Sequence, residues 1–123
     1  MNMLDDVWIS RLLDIAYAGC HKGCVAEART IYERVLLLKP GHIPALIGLG
    51  FSHLVVGEHE KAEAILRAVL SEHADDADAR CMLGLCLAMQ KKEEGLALLS
   101  SLKEREDAAG RLAGNLLKDF CKA

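Results

Sequence analysis

The sequence predicts an all-α protein: a right-handed solenoid of three helix-turn-helix units followed by a C-terminal capping helix. The main observation is an internal repeat with a 34-residue period, in which an aliphatic residue and then a small one recur at Ile15-Ala16, Leu49-Gly50 and Leu83-Gly84. Five more pairs share this period: Leu12 and Leu46, Gly23 and Gly57, Ala28 and Ala62, Tyr32 and Leu66, and Val35 and Val69. Repeats of this length are typical of helix pairs that stack to bury their apolar faces. Two prolines and 4% aromatic residues also suit closely packed helices.

The first unit is predicted to hold helices over about 5–20 and 24–39, with a turn at Gly23 between them. Asp5 or Asp6 is expected to cap the first helix and to complement its dipole. The second helix is indicated by apolar residues at spacings of three and four, and proline and glycine directly after it end the helix.

The second unit places Pro44 in a first helical turn, where its missing N–H leaves no hydrogen bond unmade. The third unit is less regular. Its turn at 90–92 is predicted to be one residue short, so that Gly95, Leu99 and Leu102 take the inward positions. Small residues are expected wherever the two helices of a unit cross closest, since a larger side chain would push the axes apart.

We expect one domain over 1–123, with units at about 9–42, 43–76 and 77–109 and a capping helix at about 108–121. A solenoid ends in such a cap because each helix pair leaves an apolar face for a neighbour. The cap is indicated by its apolar residues: Leu112, Leu116, Leu117 and Phe120.

Composition and charge exclude several classes of function. The net charge of −3 leaves no basic surface for nucleic acid. No apolar run approaches the ~20 residues of a membrane span, and acids near the start replace the basic region of a signal peptide. Five cysteines without a secretory signal suggest reduced thiols in the cytoplasm.

No motif indicates an enzyme, a metal site or a cofactor. Cys20, His21 and Cys24 match no common zinc spacing, and no second pair follows nearby. The cysteines are interpreted as small apolar core residues. Neither a glycine-rich phosphate loop nor a nucleophile elbow is present.

These repeats resemble the tetratricopeptide family over residues 5–104. The resemblance implies a concave surface lined by defined positions of each first helix. At these positions the chain has mostly apolar residues and no Lys, Arg or Asn, so binding of a partner's C-terminal carboxylate is not expected. The candidate partner-binding residues are Leu13, Tyr17, Ile47, Phe51, Leu54, Val55, Met82, Leu85 and Met89.

An apolar concavity suits the apolar face of an amphipathic helix, or an extended segment with apolar anchors. The alternative is that the same residues pack in the core or in a dimer interface. For Leu13, Ile47 and Leu85 the two interpretations are balanced. For Tyr17, Phe51 and Met89 the partner interpretation is favoured, because an apolar patch this large rarely stays exposed.

A closer resemblance is to the small tetratricopeptide chaperones of bacterial type III secretion, in particular that of the needle subunit. It rests on total length, three units and a terminal amphipathic helix, and on three segments: RLLDIAYAGCHKGCVAEARTIYERVLLLKPG, GLGFSHLVVGEHEKAEAIL and LALLSSLKEREDAAGRLAGNLLKDFCKA. The resemblance implies a bacterial cytoplasmic protein that keeps an amphipathic helix of the needle subunit in its groove, soluble and unpolymerised. It also implies a short helical co-chaperone near the N-terminal end, where Met3, Leu4, Val7 and Trp8 are the candidate contacts.

Two other hypotheses stay open at this level. One is a chaperone of type III translocators, which is expected to carry a longer N-terminal extension than residues 1–8 provide. The other is a generic tetratricopeptide scaffold in another assembly.

Overall fold

The structure, a computed structural model, describes the backbone of residues 3–120 and the side chains of residues 6–119. This part of the chain contains seven α-helices and no strand, which confirms the predicted fold class. The helices are α1 (Met3–His21), α2 (Val25–Leu38), α3 (Ile43–Leu54), α4 (His59–Glu72), α5 (Ala77–Met89), α6 (Glu93–Leu102) and α7 (Ala108–Phe120). Within the described part, no helix is long and apolar enough to cross a membrane.

The first six helices form three consecutive pairs, and α7 packs against α5 and α6. The second helices of the three pairs start one sequence period apart, at Val25, His59 and Glu93. In the first pair the helices begin and end within about two residues of the predicted bounds. The repeat of the sequence is therefore also the repeat of the structure.

The predicted cap of the first helix is not formed by Asp6. This residue lies inside α1, because the helix begins at Met3. Its carboxylate pairs instead with the ammonium of Lys39, just after the end of α2. The pair joins the two ends of the first unit. Asp5 lies outside the described side chains.

A continuous core runs through the first two units into the third. Small residues such as Ala16, Ala28 and Ala62 are fully buried beside Tyr32 and Leu66. This confirms that small residues lie where the helices of a unit meet. A Cβ on Gly50 would approach Leu66 to 3.3 Å, and one on Gly84 would approach Leu99 to 2.9 Å.

The third turn has the same length as the first two, contrary to the sequence prediction. Gly23, Gly57 and Lys91 occupy equivalent positions of the repeat and all have positive φ, at 85°, 81° and 61°. In each turn the next N–H bonds back to an equivalent carbonyl, as Lys92 does to Leu87 at 3.0 Å. Lys91 therefore adopts a conformation that glycine adopts at the two equivalent positions.

The one-residue offset arises in α6 instead. In α4 the first bond runs from the N–H of Ala62 to the carbonyl of Glu58, four residues earlier. In α6 the N–H of Gly95 bonds to Lys92, only three residues earlier. This tighter first turn advances the inward face by one residue, so that Gly95, Leu99 and Leu102 are buried as predicted.

Candidate protein-binding groove

The described structure contains a groove of about 550 Å³. Helices α1, α3 and α5, the first helices of the three units, line one side, and α7 lines the other. The lining residues are Leu13, Asp14, Tyr17, Tyr32, Ile43, Pro44, Ile47, Gly48, Phe51, Asp76, Asp78, Cys81, Met82, Leu85, Ala108, Ala109, Leu112 and Leu116. The groove is therefore mainly apolar.

Six of the nine residues predicted for the groove line this cavity, two from each unit. They are Leu13, Tyr17, Ile47, Phe51, Met82 and Leu85. Their positions follow from helix periodicity, since residues three and four apart share one face of each first helix. Stacking the three units brings these faces side by side.

The other three predicted residues lie outside the cavity. Leu54 is buried in the core beneath the groove. Val55 directly follows α3, and Met89 ends α5. Both are exposed, Met89 by 44%, but they lie at the far ends of their helices. The cavity ends before them because α7 faces the earlier turns of α5, where Cys81, Met82 and Leu85 line it.

The wall formed by α7 was missed by the sequence analysis. Ala108, Ala109, Leu112 and Leu116 face the cavity, and Leu112 is 46% exposed. The helix follows the last repeat, so the repeat register does not place it. Its amphipathic pattern was the available signal, since Leu112 and Leu116 are four residues apart. That pattern predicted a capping helix, but it did not predict which surface of the protein the apolar face of α7 would contact.

An aromatic cluster forms the end of the groove nearest the first unit. The rings of Tyr17 and Phe51 stack with centroids 4.9 Å apart and an interplanar angle of 27°. His21 meets the ring of Tyr17 edge-on at 4.7 Å. Tyr17 is 46% exposed, whereas Phe51 is only 7% exposed and belongs to the core. Tyr17 therefore offers a contact surface, and Phe51 supports it from below.

The charged residues that line the groove are all acidic: Asp14 on α1, and Asp76 and Asp78 at the start of α5. Asp76 caps α5, because its Oδ1 accepts the N–H of Ala79 at 2.9 Å. The Cys81 thiol is buried, and burial raises its pKa to about 11, with a smaller effect from Asp78. At neutral pH this thiol is protonated and a poor nucleophile.

Other candidate chemistry is not assembled in the described residues. No three His, Cys, Asp or Glu side chains in that part of the chain come together in an arrangement that holds a metal ion. Cys20 is buried and Cys24 is exposed, although the two are close in sequence. Burial raises the pKa of the Cys20 thiol.

A second apolar surface lies at the start of α1. Val7 and Trp8 are exposed, Trp8 by 57%, and the guanidinium of Arg11 lies 6.0 Å from the centre of the indole ring. Met3 and Leu4, the other two residues predicted for this contact, lie outside the described side chains.

The comparisons with known proteins agree with this architecture. A family model for the tetratricopeptide repeat matches residues 22–84, which is just over half of the chain. No curated protein matches the sequence. The resemblance to the tetratricopeptide repeats is therefore supported by the family model.

Two solved structures share the fold. The structure of the Yersinia enterocolitica type III secretion translocator chaperone SycD superposes with a TM-score of 0.69 and 16% identity, over 96% of this chain and 88% of that one. PcrH from Pseudomonas aeruginosa superposes with a TM-score of 0.71 and 16% identity, over 98% of both chains. At this identity the likeness concerns the fold. With the family model and the repeated helix pairs, it leads to one conclusion: the chain belongs to the tetratricopeptide repeat family.

Proposed function

We propose that this protein is a type III secretion chaperone of the translocator class, which holds an apolar segment of a secreted partner in its groove. The observation that carries the proposal is the mainly apolar lining to which all three units and α7 contribute, from Leu13 on α1 to Leu116 on α7. The full-length likeness to SycD, named as a translocator chaperone, supports this class.

The needle subunit was the partner implied by the sequence resemblance. The fold comparison favours the translocator alternative, since it includes a structure with that name. The likeness to SycD extends over 88% of that chain.

The proposed mechanism is masking of apolar surface. A protein that will later insert into a membrane or polymerise exposes apolar side chains that favour aggregation before export. Burying such side chains against Tyr17, Met82, Leu85 and Leu112 removes them from water, at about 25 cal/mol per Å² of apolar surface. The chaperone would act in the bacterial cytoplasm, before its partner is exported.

The test is binding of the translocator protein encoded by the same secretion system, measured by co-expression and then by titration with purified chaperone. Tyr17→Ala and Met82→Ala are each expected to weaken binding by more than ~1 kcal/mol, because they remove accessible anchors from the groove. Met89→Ala is the matched control, since Met89 is as exposed as Tyr17 but lies outside the cavity.

The expected result is lost affinity in the two groove variants and unchanged affinity in the control, with equal helicity by circular dichroism. Equal binding by all three variants would show that the partner uses another surface. If the chaperone bound the needle subunit and not the translocator, the needle-subunit hypothesis would be supported, and the groove would still be the proposed binding site.

A further inference from the structure

Carboxylates of the first and the third unit line the apolar groove. Asp14 lies on α1 in the first unit, and Asp76 and Asp78 lie at the start of α5 in the third. The α3 residues that line the groove between them are uncharged. Lys, Arg and His are absent from the described residues that line the cavity. A partner segment that crosses the groove from the first unit to the third therefore passes negative charge on both units.

Two of these carboxylates have no ion-pair partner within the described part of the chain. Asp14 and Asp78 are exposed, and no Lys or Arg nitrogen in that part lies within ion-pair distance of either. Arg105, a cation near Asp78, pairs instead with Asp107 at 2.7 Å. Both carboxylates thus remain available to a cation from outside the chain.

The floor of the groove holds one further unsatisfied polar group. Tyr32 is 1% exposed, and its hydroxyl has no nitrogen or oxygen hydrogen-bond partner among the described residues. The thiol of Cys20, which lies nearby, is only a weak hydrogen-bonding group. The phenol lies directly beneath Gly48, where a Cβ would come within 2.8 Å of the hydroxyl oxygen. Gly48 covers this hydroxyl, so it is part of the packing under the groove and not a contact for a bound segment.

We infer that the segment held in the groove carries Lys or Arg residues on both sides of its apolar anchors, and that Asp14 and Asp78 contact them. The inference rests on the proposed function and specifies the chemistry of the partner. Apolar contact supplies most of the affinity, while the charges select the segment and its register. Because both carboxylates are exposed, their contribution is modest and is screened by salt.

The experiment uses three synthetic peptides with one leucine-rich core, flanked on both sides by lysine, glutamine or glutamate. Their binding to the full chain is measured by fluorescence anisotropy at low salt and at about 300 mM salt, where screening is strong. The test variant is Asp14→Asn with Asp78→Asn. The matched control is Glu33→Gln with Glu72→Gln, which changes the net charge equally at exposed positions outside the groove.

At low salt, the lysine peptide is expected to bind the unmodified protein about fivefold more tightly than the glutamine peptide. The glutamate peptide is expected to bind weakest. This ranking should disappear at high salt and in the Asp14→Asn, Asp78→Asn variant, and should persist in the control.

A lysine preference that survives in the aspartate variant would overturn the inference, as would equal binding of the lysine and glutamine peptides. In either case the groove itself would stand if Tyr17→Ala still weakened the glutamine peptide. Binding that Tyr17→Ala leaves unchanged, or binding of none of the peptides, would contradict the proposed groove and the inference together.

Discussion

At the scale of single residues, Arg29 is the main polar link between the first two units. From α2 its guanidinium donates to the Ser52 hydroxyl at 3.1 Å and to the Ser52 carbonyl at 3.2 Å in α3. It also donates to Oε1 of Glu58 at 2.6 Å, in the turn before α4. Ser52 is completely buried, and its hydroxyl both accepts from Arg29 and donates to the carbonyl of Leu49, so its donor and its acceptor are both used.

Glu58 makes the stability of this network depend on pH. His53, Arg29 and Lys61, in that order, hold the pKa of the Glu58 carboxyl down to about 2, from an ordinary value of 4.5. A lowered pKa in the folded state favours folding above the unfolded value. The contribution of Glu58 is therefore complete above pH 4.5 and is lost as the pH falls from 4.5 to about 2.

We expect Glu58→Gln to be less stable than the unmodified protein at pH 7, with a difference that shrinks as the pH falls through this window. Urea denaturation, followed by circular dichroism at several pH values between 7 and 2, measures the free energy of unfolding of both proteins. Glu33→Gln is the control, since Glu33 is exposed and has no ion-pair partner in the described part of the chain. A Glu58→Gln difference that stays constant down to pH 2 would rule out this linkage.

At the scale of the helices, glycines set how closely each pair can approach. Among contacts between the two helices of one unit, the tightest is in the third unit, where a Cβ on Gly95 would lie closest to the backbone nitrogen of Ala88 and 2.7 Å from the carbonyl oxygen of Gly84. This obstacle is backbone, which cannot rotate away. A Cβ on Gly84 would meet the Leu99 side chain at 2.9 Å and the Gly95 carbonyl only at 3.3 Å, and one on Gly50 would meet the Leu66 side chain at 3.3 Å; a side chain can adjust.

Alanine substitutions should therefore destabilise in the order Gly95, Gly84, Gly50. Gly95→Ala is expected to cost about 1–3 kcal/mol or more by overpacking. Gly50→Ala should be close to neutral, because the gain in helix propensity of about 1 kcal/mol offsets a mild contact. Gly114→Ala is the control, with open space around its Cβ, and should stabilise α7. Denaturation midpoints give the order, and equal losses at Gly95 and Gly114 would contradict it.

The turn of the third unit has the same backbone geometry as the first two turns, although it has lysine where they have glycine. Lys91 takes the left-handed conformation at the position of Gly23 and Gly57. This conformation disfavours any residue with a Cβ, by roughly 1–2 kcal/mol. The backbone hydrogen bonds of the turn and the packing of α5 against α6 hold it in place.

At the scale of the whole molecule, the first unit leaves an uncovered apolar surface. Ile15 occupies the same repeat position as Leu49 and Leu83, yet it is exposed, whereas Leu83 is buried. No earlier unit lies within the described chain to cover it. Trp8, which lies earlier on the same side of α1, is exposed as well.

We propose that Val7 and Trp8 contact a partner subunit, either a short helical co-chaperone or a second copy of the chain. Trp8→Ala is expected to reduce self-association or co-chaperone retention while leaving the fold intact, because the side chain is mostly outside the core. Size-exclusion chromatography with light scattering measures self-association of the purified chain, and the same measurement after co-expression shows whether the co-chaperone is retained. Unchanged assembly and unchanged retention would count against this contact.

The sequence by itself determined the repeat and almost all of the helices. A repeat of this kind needs only local information, because each unit has its own turn residues and its own apolar face. Six of the nine residues that this register predicted for the groove line the cavity in the structure, and their role in binding stays a prediction. The register also identified Gly95, Leu99 and Leu102 as inward residues, although the offset was assigned to the turn and not to α6.

Only the tertiary structure decided the shape and the charge of the groove. The position of α7 depends on which neighbouring surface buries its apolar face, and no repeat register encodes that choice. Because α7 faces the early turns of α5, the cavity excludes Val55 and Met89 and is lined by both Leu112 and Met82. The same packing gathers Asp14 of the first unit and Asp78 of the third on one surface. Contacts between distant segments depend on the packing of every helix between them, and so the binding surface emerged only in the folded molecule.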